Sequence, residues 1–217
     1  MELDELTRLI KNRRSIRVWQ DKAVPADLLV KAVELAIWAP NGGNQQNWRF
    51  YVIVNRDTIK AIADAVQTSS DAVMSWPETR EFPELTARLK DRSVFFRSAP
   101  AAIAVAAAQY QSPIDQVLEK RGKADPAARQ IRQWRNIADS RIQSVASATA
   151  HLLLVLHQMG LGAVWMTGPI QAKGEIEKIL KVPPQLDVVT FIPVGYPAES
   201  PEPKERQPPS EVCEVIR

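Results

Sequence analysis

The stretch from Ala99 to Ala108 reads APAAIAVAAA, and its conformation decides the fold class of the chain. Alanine has the highest helix propensity, so composition alone permits a helix. The stretch is short and lies between loops, however, and both features favour a buried strand. We therefore predict a strand after Pro100, and with it a mixed α+β fold instead of an all-helical one.

Other segments predict further strands. WRFYVIV, from Trp48 to Val54, is aromatic and β-branched and predicts a largely buried strand. VVTFIPVGY, from Val188 to Tyr196, predicts the last strand, and AVWMT, from Ala163 to Thr167, predicts a short one. We find no internal repeat and no linker between two cores, so residues 1–217 are predicted to form a single domain.

Apolar residues at helical spacing predict five helices. These are a short helix ending before Asn12, a second from Pro25 to a stop at Pro40, a third over Asp57–Gln67, a long one over Ala127–Met159 and a last one over Ala172–Leu180. Residues 71–97 predict only fragments of helix, and the polar stretch Gln109–Arg129 predicts a mobile excursion. The tail PAESPEPKERQPPSE is rich in proline and is predicted to have no core of its own.

Composition and charge narrow the class of protein. A net charge of +3 without a basic stripe interleaved with aromatics argues against a nucleic-acid partner. The acidic start MELDELT argues against a secretory signal, and the most apolar stretches fall short of the roughly 20 residues of a membrane span, so we expect a cytoplasmic protein. Cys213 is the single cysteine and is interpreted as a tail thiol.

The sequence lacks the motifs of several common classes of binding and catalytic site. GLGAVW at Gly160 follows a helix and has Trp165 where a dinucleotide fingerprint needs its third glycine. The sequence has no phosphate-binding P-loop, GxSxG or HExxH motif. His151 and His157 are six residues apart, a spacing that does not predict a metal pair. If the protein is an enzyme, its chemistry is expected to come from a cofactor.

Two polar motifs stand out after the first two helices. NRRSIR, from Asn12 to Arg17, contains three arginines within six residues, and a run of this kind is most often a solvated surface. NGGNQQN, from Asn41 to Asn47, has no apolar residue and two glycines, so it is predicted to be a loop.

Four stretches together resemble the nitroreductase family of FMN-dependent NAD(P)H oxidoreductases. They are RRSIR, APNGGNQQNW, GLGAVWMTGP and the PKER that follows GYPAE, in the family's order and across nearly the whole chain. The resemblance implies a mainly antiparallel central sheet flanked by helices. It also implies an intertwined homodimer with two FMN molecules at the subunit interface.

The same resemblance assigns the basic residues to FMN. Arg13 and Ser15, with Arg14 between them, match positions that hold the phosphate and ribityl chain, and Lys204 and Arg206 match tail positions that close on the same phosphate. A phosphate dianion needs several charge-assisted donors, which arginine supplies well. Arg17 matches the basic position near N1 and O2 of the isoalloxazine. The alternative is a surface ion pair with an acid such as Asp21.

The loop after the second helix resembles the segment that reaches the other subunit's flavin. Pro40, Asn41, Gly42, Asn44 and Gln46 are the candidate contacts. Asn41 and Gly42 replace the common serines of that pattern, and Asn47 replaces the proline before tryptophan. Turn chemistry is the alternative explanation for Asn44 and Gln46.

The stretch Trp165, Met166, Thr167 and Gly168 matches the strand-to-loop segment along the isoalloxazine. Glycine at 168 would let the backbone approach the ring. A Thr167 hydroxyl donating to N5 would favour one-electron chemistry. For Trp165 and Met166 taken alone, core packing is the competing explanation.

The resemblance implies a ping-pong oxidoreductase. NADH or NADPH would deliver hydride, and an electron-poor nitroaromatic, quinone or activated alkene would accept it. No side chain is predicted to act as acid or base, and no metal is expected. The alternatives are a reductive dehalogenase or flavin-fragmenting enzyme of the same family, a non-catalytic FMN store, or a flavin-free structural domain. Four aromatic residues could stack on an acceptor, but scattered aromatics are more often core residues, so they are not assigned to the site: Trp76, Phe82, Tyr110 and Trp134.

Overall fold

A four-stranded sheet forms the centre of the computed structural model, which describes residues 2–84 and 94–217. The strands are β1 (Trp48–Ile53), β2 (Ala101–Ala108), β3 (Gly162–Ala163) and β4 (Leu186–Gly195). They lie in the order β1-β2-β4-β3, and each neighbouring pair is antiparallel. The strand predicted after Pro100 is therefore confirmed, and so is the α+β fold class with a mainly antiparallel sheet.

Helices cover the sheet on both faces. Those in the described residues are α1 (Leu3–Asn12), α2 (Ala26–Ala36), α3 (Arg56–Ser75), α4 (Pro113–Arg121), α5 (Pro126–Ala138), α6 (Ser140–Gln158), α7 (Lys173–Leu180) and the single turn α8 (Pro209–Val212). Apolar residues of α2 and α6 pack on one face of the sheet, and those of α3 and α7 pack on the other.

Strand β2 lies in the middle of this arrangement and is buried along almost its whole length. Ile103 and Val105 point to the face covered by α2 and α6, whereas Ala102 and Ala104 point to the face covered by α3 and α7. Alternate side chains of a strand point to opposite faces, so a strand covered on both sides reads as a continuous apolar run. The alanines also let the helices approach the sheet closely, which explains a composition that resembles a helix.

The long helix predicted over Ala127–Met159 is wrong, because the chain breaks at Asp139. Asp139 adopts left-handed backbone angles (φ 35°, ψ 74°), and its side chain accepts a hydrogen bond from the Ile142 N–H at 3.2 Å. It thereby ends α5 and caps α6. Aspartate tolerates this conformation better than most residues because its short polar side chain bonds locally.

The mobile excursion predicted over Gln109–Arg129 is also wrong, since α4 and the start of α5 occupy it. Both helices begin with proline in the first helical position, preceded by Ser112 or Asp125. Asp125 accepts a hydrogen bond from the Ala127 N–H at 2.9 Å, which is normal N-capping. Capping residues and prolines of this kind favour helix formation even though the segment has few apolar residues.

Other boundaries differ by smaller amounts. Helix α3 continues to Ser75, beyond the predicted end at Gln67, and a 3-10 turn over Pro77–Glu81 follows it. Helix α2 ends at Ala36, before the predicted stop at Pro40. The rest of the region with predicted helix fragments includes residues 85–93, which lie outside the described part of the chain. Strand β1 is mostly half-buried, not largely buried, because it is an edge strand.

Candidate functional site

The basic residues from both ends of the chain surround one cavity of about 520 Å³. Its lining consists of Ile10, Lys11, Arg13, Arg14, Ser15, Arg17, Pro201, Glu202, Pro203, Lys204 and Arg206. The structure thus brings together six predicted site residues that are separated by almost the entire sequence. Glu202 is the one carboxylate in this lining, against six cationic side chains.

Backbone pairing explains how the two ends meet. The segment after α1 runs beside β3 and the end of β4: the Ile16 N–H donates to the Ala163 carbonyl at 3.1 Å, and the Gln20 N–H donates to the Tyr196 carbonyl at 2.9 Å. In return the Ala198 N–H donates to the Val18 carbonyl at 3.0 Å. The segment that follows β4 is therefore held beside the NRRSIR motif, and it carries the PKER tail toward the cavity.

Gly162 in β3 permits this close approach. A Cβ atom at position 162 would lie 2.7 Å from the Ile16 side chain, which is too short for any real contact. The Gly162 carbonyl also accepts a hydrogen bond from the indole N–H of buried Trp19 at 2.9 Å. Glycine at this position of the GLG motif is thus needed for packing of the N-terminal segment, and not for binding a dinucleotide.

The cations around the cavity have no acidic partners among the described residues. No ion pair in that part of the chain involves Arg13, Arg17 or Arg206. Asp21 instead pairs with Arg56 at 2.6 Å, so the alternative pairing of Arg17 with Asp21 is wrong. Positive charge is concentrated at the cavity, and no ion pair with a described residue neutralises Arg13, Arg17 or Arg206.

The pKa values of Arg13 and His157 are consistent with a positive potential at this cavity. Burial lowers the pKa of Arg13 from its ordinary value, and the nearby charges of Arg14 and Arg206 lower this pKa further. Burial also lowers the pKa of His157, in the last turn of α6, and Arg13 and Arg14 again add to the effect. Burial is the larger cause of both lowered pKa values, and the smaller contribution of the neighbouring arginines shows that like charges lie close together here, which a bound anion would relieve.

Glu199 is a residue of this region that the sequence did not suggest. Its carboxylate accepts hydrogen bonds from the backbone N–H groups of Arg17 and Val18, the latter at 3.0 Å. These bonds fix the backbone of the NRRSIR motif from the side of the C-terminal tail. A glutamate in a proline-rich tail gives no local signal for such a contact, which depends on residues 182 positions apart.

The stretch Trp165–Gly168 does not line the basic cavity. Met166 is tied to β4 by two backbone hydrogen bonds with Phe191, both 3.0 Å, so only part of the predicted AVWMT strand is regular. Trp165 and Met166 are half-buried against the core, as their alternative explanation expected. Thr167 and Gly168 are exposed, and a Cβ at position 168 would have no neighbour within 4 Å.

The loop of residues 41–47 also lies outside the lining of the basic cavity. The Gln46 N–H donates to the Asn41 side-chain oxygen at 3.0 Å, and the Gln46 amide donates to the Asn44 side-chain oxygen at 3.3 Å. Turn chemistry is therefore present at Asn44 and Gln46. The Gly42 N–H donates to the Ser144 hydroxyl of α6 at 3.1 Å, a contact that nothing in the sequence indicated.

The departures of this loop from the family pattern have local structural reasons. A Cβ at position 42 would lie 2.8 Å from the Tyr110 ring, so glycine makes room for that ring. The Asn47 side-chain amide donates to the Ala108 carbonyl at 2.9 Å, and the Asn47 carbonyl accepts from the Ala108 N–H at 2.8 Å. Asn47 therefore extends the pairing of β1 with β2, which proline's side chain cannot do.

Two further observations concern the described residues only. They contain no cluster of histidine, cysteine and carboxylate side chains suited to a metal ion. None of their helices is both long enough and apolar enough to cross a membrane.

Comparisons with known proteins identify relatives that are similar to this chain in sequence and in fold. A protein of Methanothermobacter thermautotrophicus that carries the provisional name NADH dehydrogenase/NAD(P)H nitroreductase is 30% identical over 200 residues, which cover 91% of this chain and 80% of that protein. The crystal structure of a BluB-like flavoprotein from Clostridium difficile 630 covers 100% of both chains with a TM-score of 0.86 and 24% identity.

A solved iodotyrosine deiodinase bound to FMN and 3-iodo-L-tyrosine superposes with a TM-score of 0.69 and 22% identity, over 98% of this chain and 97% of the other. At 22–24% identity, the BluB-like flavoprotein and the deiodinase show that this chain shares their fold. The family model described as Nitroreductase family matches residues 10–196. From these matches we conclude that the chain belongs to the nitroreductase family.

Proposed function

We propose that the protein is an FMN-dependent NAD(P)H oxidoreductase. One observation carries this proposal: the two ends of the chain converge on a cavity of about 520 Å³ whose four arginines and two lysines lack ion-pair partners among the described residues. A phosphate dianion is the ligand that such a set of donors suits best. The lowered pKa of Arg13, caused by burial and by Arg14 and Arg206, fits an anion as the missing countercharge.

The residues of the cavity divide between two tasks. Arg13, Arg14 and Ser15 would hold the phosphate and ribityl chain, with Lys204 and Arg206 closing on the phosphate from the tail. Arg17 would place positive charge near N1 and O2 of the isoalloxazine. Since Arg17 has no ion-pair partner in the described part of the chain, its charge remains available for this role.

The remaining site residues would frame the ring. Exposed Gly168 leaves space for a flat ligand against the backbone, and exposed Thr167 presents a hydroxyl beside it. Trp165 and Met166 would back the ring from the core side. Pro40, Asn41, Gly42, Asn44 and Gln46 would contact the cofactor of the partner subunit.

When bound, FMN supplies hydride transfer from NADH or NADPH to an electron-poor acceptor, such as a nitroaromatic, a quinone or an activated alkene, in a ping-pong sequence. The protein contributes position, positive charge near the pyrimidine edge of the ring, and an open face for each substrate. No side chain needs to act as acid or base. Residues 1–217 would work as one FMN-binding domain in the cytoplasm.

A homodimer is part of the proposal. Large apolar side chains are exposed on the protomer, including Trp38 (83% exposed), Ile137 (82%) and Trp134 (62%). Exposed apolar groups of this size are typical of surfaces that a partner covers. The loop of residues 41–47 does not line the basic cavity of its own protomer, so it could contact the cofactor of the other subunit. Light scattering should give twice the protomer mass of 24.3 kDa; a monomer at micromolar concentration would contradict this part.

The absorption spectrum of the purified protein tests the central proposal. The expected result is a yellow protein whose flavin absorbance bleaches on anaerobic titration with NADH or NADPH and returns on addition of a nitro compound. A colourless protein that takes up no added FMN would contradict it. A yellow protein that neither nicotinamide bleaches would instead be an FMN store.

A reductive dehalogenase is the second candidate, because a similar structure is an iodotyrosine deiodinase. The family resemblance implies that a deiodinase has a lid with a glutamate, a tyrosine and a lysine, whereas residues 71–97, in a region that would shape the pocket, contain no tyrosine. We therefore expect slow or absent release of iodide from 3-iodotyrosine by the reduced protein. Rapid release would favour this candidate, and loss of flavin absorbance in air without added acceptor would favour a flavin-fragmenting enzyme.

A further inference from the structure

Gln45, in the middle of the loop of residues 41–47, makes two reciprocal hydrogen bonds to a distant segment. Its side-chain amide donates to the Gln111 carbonyl, and its side-chain oxygen accepts from the Gln111 N–H at 3.1 Å. One side chain thus pairs with both backbone groups of a residue 66 positions away. Because a primary amide has a donor and an acceptor at one end, it is the side-chain type suited to this pairing.

The backbone on both sides of Gln45 has left-handed angles, which are strained at Asn44 and Gln46 and permitted at Gly43. Gly43 (φ 59°), Asn44 (φ 51°) and Gln46 (φ 46°) all have left-handed angles, whereas Gln45 itself has an ordinary φ of −72°. Left-handed angles are unfavourable for residues other than glycine and persist where surrounding contacts enforce them. Such strain is concentrated at functional positions. The bonds of Gln45 lie between the strained residues, where they oppose relaxation of the loop.

Gln111 in turn belongs to the segment that leads from β2 into α4. This segment includes Tyr110, whose ring packs against Gly42, and Ser112, which precedes α4. The loop is therefore held from one side by Gln111 and Tyr110 and from the other by the Ser144 hydroxyl of α6. In the pairing with Gln111 the loop itself supplies the side chain, whereas in the contacts with Tyr110 and Ser144 the other segment does.

We propose that Gln45 is a positioning residue that joins this loop to the segment entering α4, and thereby fixes where Asn44 and Gln46 meet the cofactor of the partner subunit. The inference rests on the proposed function, since it assumes that the loop contacts FMN. Gln45 acts through its neighbours and does not itself touch the reacting atoms. Its loss should affect cofactor binding and reduction more than it affects folding.

Substitution of Gln45 by glutamate tests the role of the amide. At pH 8 the Gln45→Glu carboxylate cannot donate to the Gln111 carbonyl, and it places negative charge against that oxygen. We expect FMN binding to weaken about tenfold, as for loss of one or two hydrogen bonds. Protonation restores a donor and an acceptor on the same group, so the deficit should shrink as pH falls toward 5, near the ordinary glutamic acid pKa of about 4.3.

Matched variants separate positioning from a general effect. Gln130→Glu makes the same chemical change at an exposed position of α5, where the amide donates a hydrogen bond of 3.4 Å to the Gln133 side chain. Its FMN affinity should follow the wild type at every pH. Gln45→Ala should show the deficit at pH 8 and no recovery at pH 5. The rate of flavin reduction by saturating NADH or NADPH, relative to wild type, should fall in both Gln45 variants at pH 8.

Equal FMN affinity and reduction rate for the Gln45 variants and Gln130→Glu would overturn the inference. The inference would also be overturned if the FMN affinity of Gln45→Glu were as weak at pH 5 as at pH 8, while the wild type and Gln130→Glu still bound FMN normally at pH 5. If the wild type takes up no FMN, the proposed function fails first. The two failures are therefore distinguishable.

Discussion

Arg13 is the residue at which the electrostatics of the site are most evident. Its guanidinium is partly buried beside Arg14 and Arg206, and these surroundings lower its pKa. Like charges without a carboxylate partner destabilise the protomer unless an anion joins them. The identities of these arginines could be predicted from sequence because the NRRSIR motif is compact. The supporting contacts of Glu199 could not be predicted, because they join residues 182 positions apart.

Arg13→Ala should weaken FMN binding by about 10- to 100-fold, the range expected for one charge-assisted hydrogen bond of about 1.5–3 kcal/mol. Fluorescence titration of the protein with FMN measures this change. Arg8→Ala is the matched control, because Arg8 is exposed on α1 and does not line the cavity. An equal loss in both variants would mean that only net charge matters.

His157 predicts a pH dependence of stability. Its folded pKa is lowered from the ordinary 6.5 by burial and by Arg13 and Arg14, so around pH 6 the unfolded chain binds more protons than the folded chain. The free energy of unfolding of the FMN-free protein should therefore fall as pH decreases from 7 to 5, by at most about 1.4 kcal/mol per pH unit from this group.

Urea denaturation at pH 5, 6 and 7 checks the effect of His157. The slope against pH should be smaller in His157→Gln than in wild type. Identical slopes for wild type and His157→Gln would contradict the prediction, and added phosphate should reduce the wild-type slope because it supplies the countercharge.

Helices and strands differ in how well local patterns predict them. Strand β2 was predictable because length and flanking loops outweighed alanine's helix propensity. The α5–α6 break was missed because Asp139 and Ser140 interrupt an otherwise continuous helical pattern without a proline or glycine. Helix α4 was missed because only Leu118 of its residues is buried, so the periodic signal is weak.

The break at Asp139 gives a prediction at the level of the element. Asp139→Ala removes the N-cap of α6 and leaves alanine in left-handed angles, so the free energy of unfolding should fall by about 1–2 kcal/mol. Asp139→Gly accepts those angles and should cost only a few tenths of a kcal/mol. Urea denaturation compares the two variants. Equal costs would mean that backbone angles do not determine the break.

Strand β3 gives a second prediction. Gly162→Ala brings a Cβ within 2.7 Å of Ile16, so the N-terminal segment must shift, and the cost should be about 1–3 kcal/mol. Gly174→Ala in α7 is the matched control, since its Cβ would have no neighbour within 4 Å; it should stabilise by about 0.5–1 kcal/mol. Thermal denaturation distinguishes them. A neutral Gly162→Ala would contradict the packing role.

At the scale of the whole molecule, the sheet brings the beginning and the end of the chain to one place. The antiparallel order β1-β2-β4-β3 leaves β3 and the end of β4 next to the segment that follows α1. The RRSIR and PKER motifs were readable in the sequence, but their convergence on one cavity is a consequence of this topology. The hydrogen bonds between Gln45 and Gln111 likewise depend on β1 and β2 being neighbours in the sheet. No local sequence pattern indicates that pairing.

Comparison of FMN with riboflavin, which lacks the phosphate, tests this convergence most directly. Calorimetric titration of the flavin-free protein should give at least about 100-fold tighter binding of FMN, as expected for several charge-assisted hydrogen bonds. In the Arg13→Ala/Arg206→Ala variant the preference should largely disappear. Equal affinities of the wild-type protein for the two flavins would contradict the claim that both ends of the chain bind one phosphate.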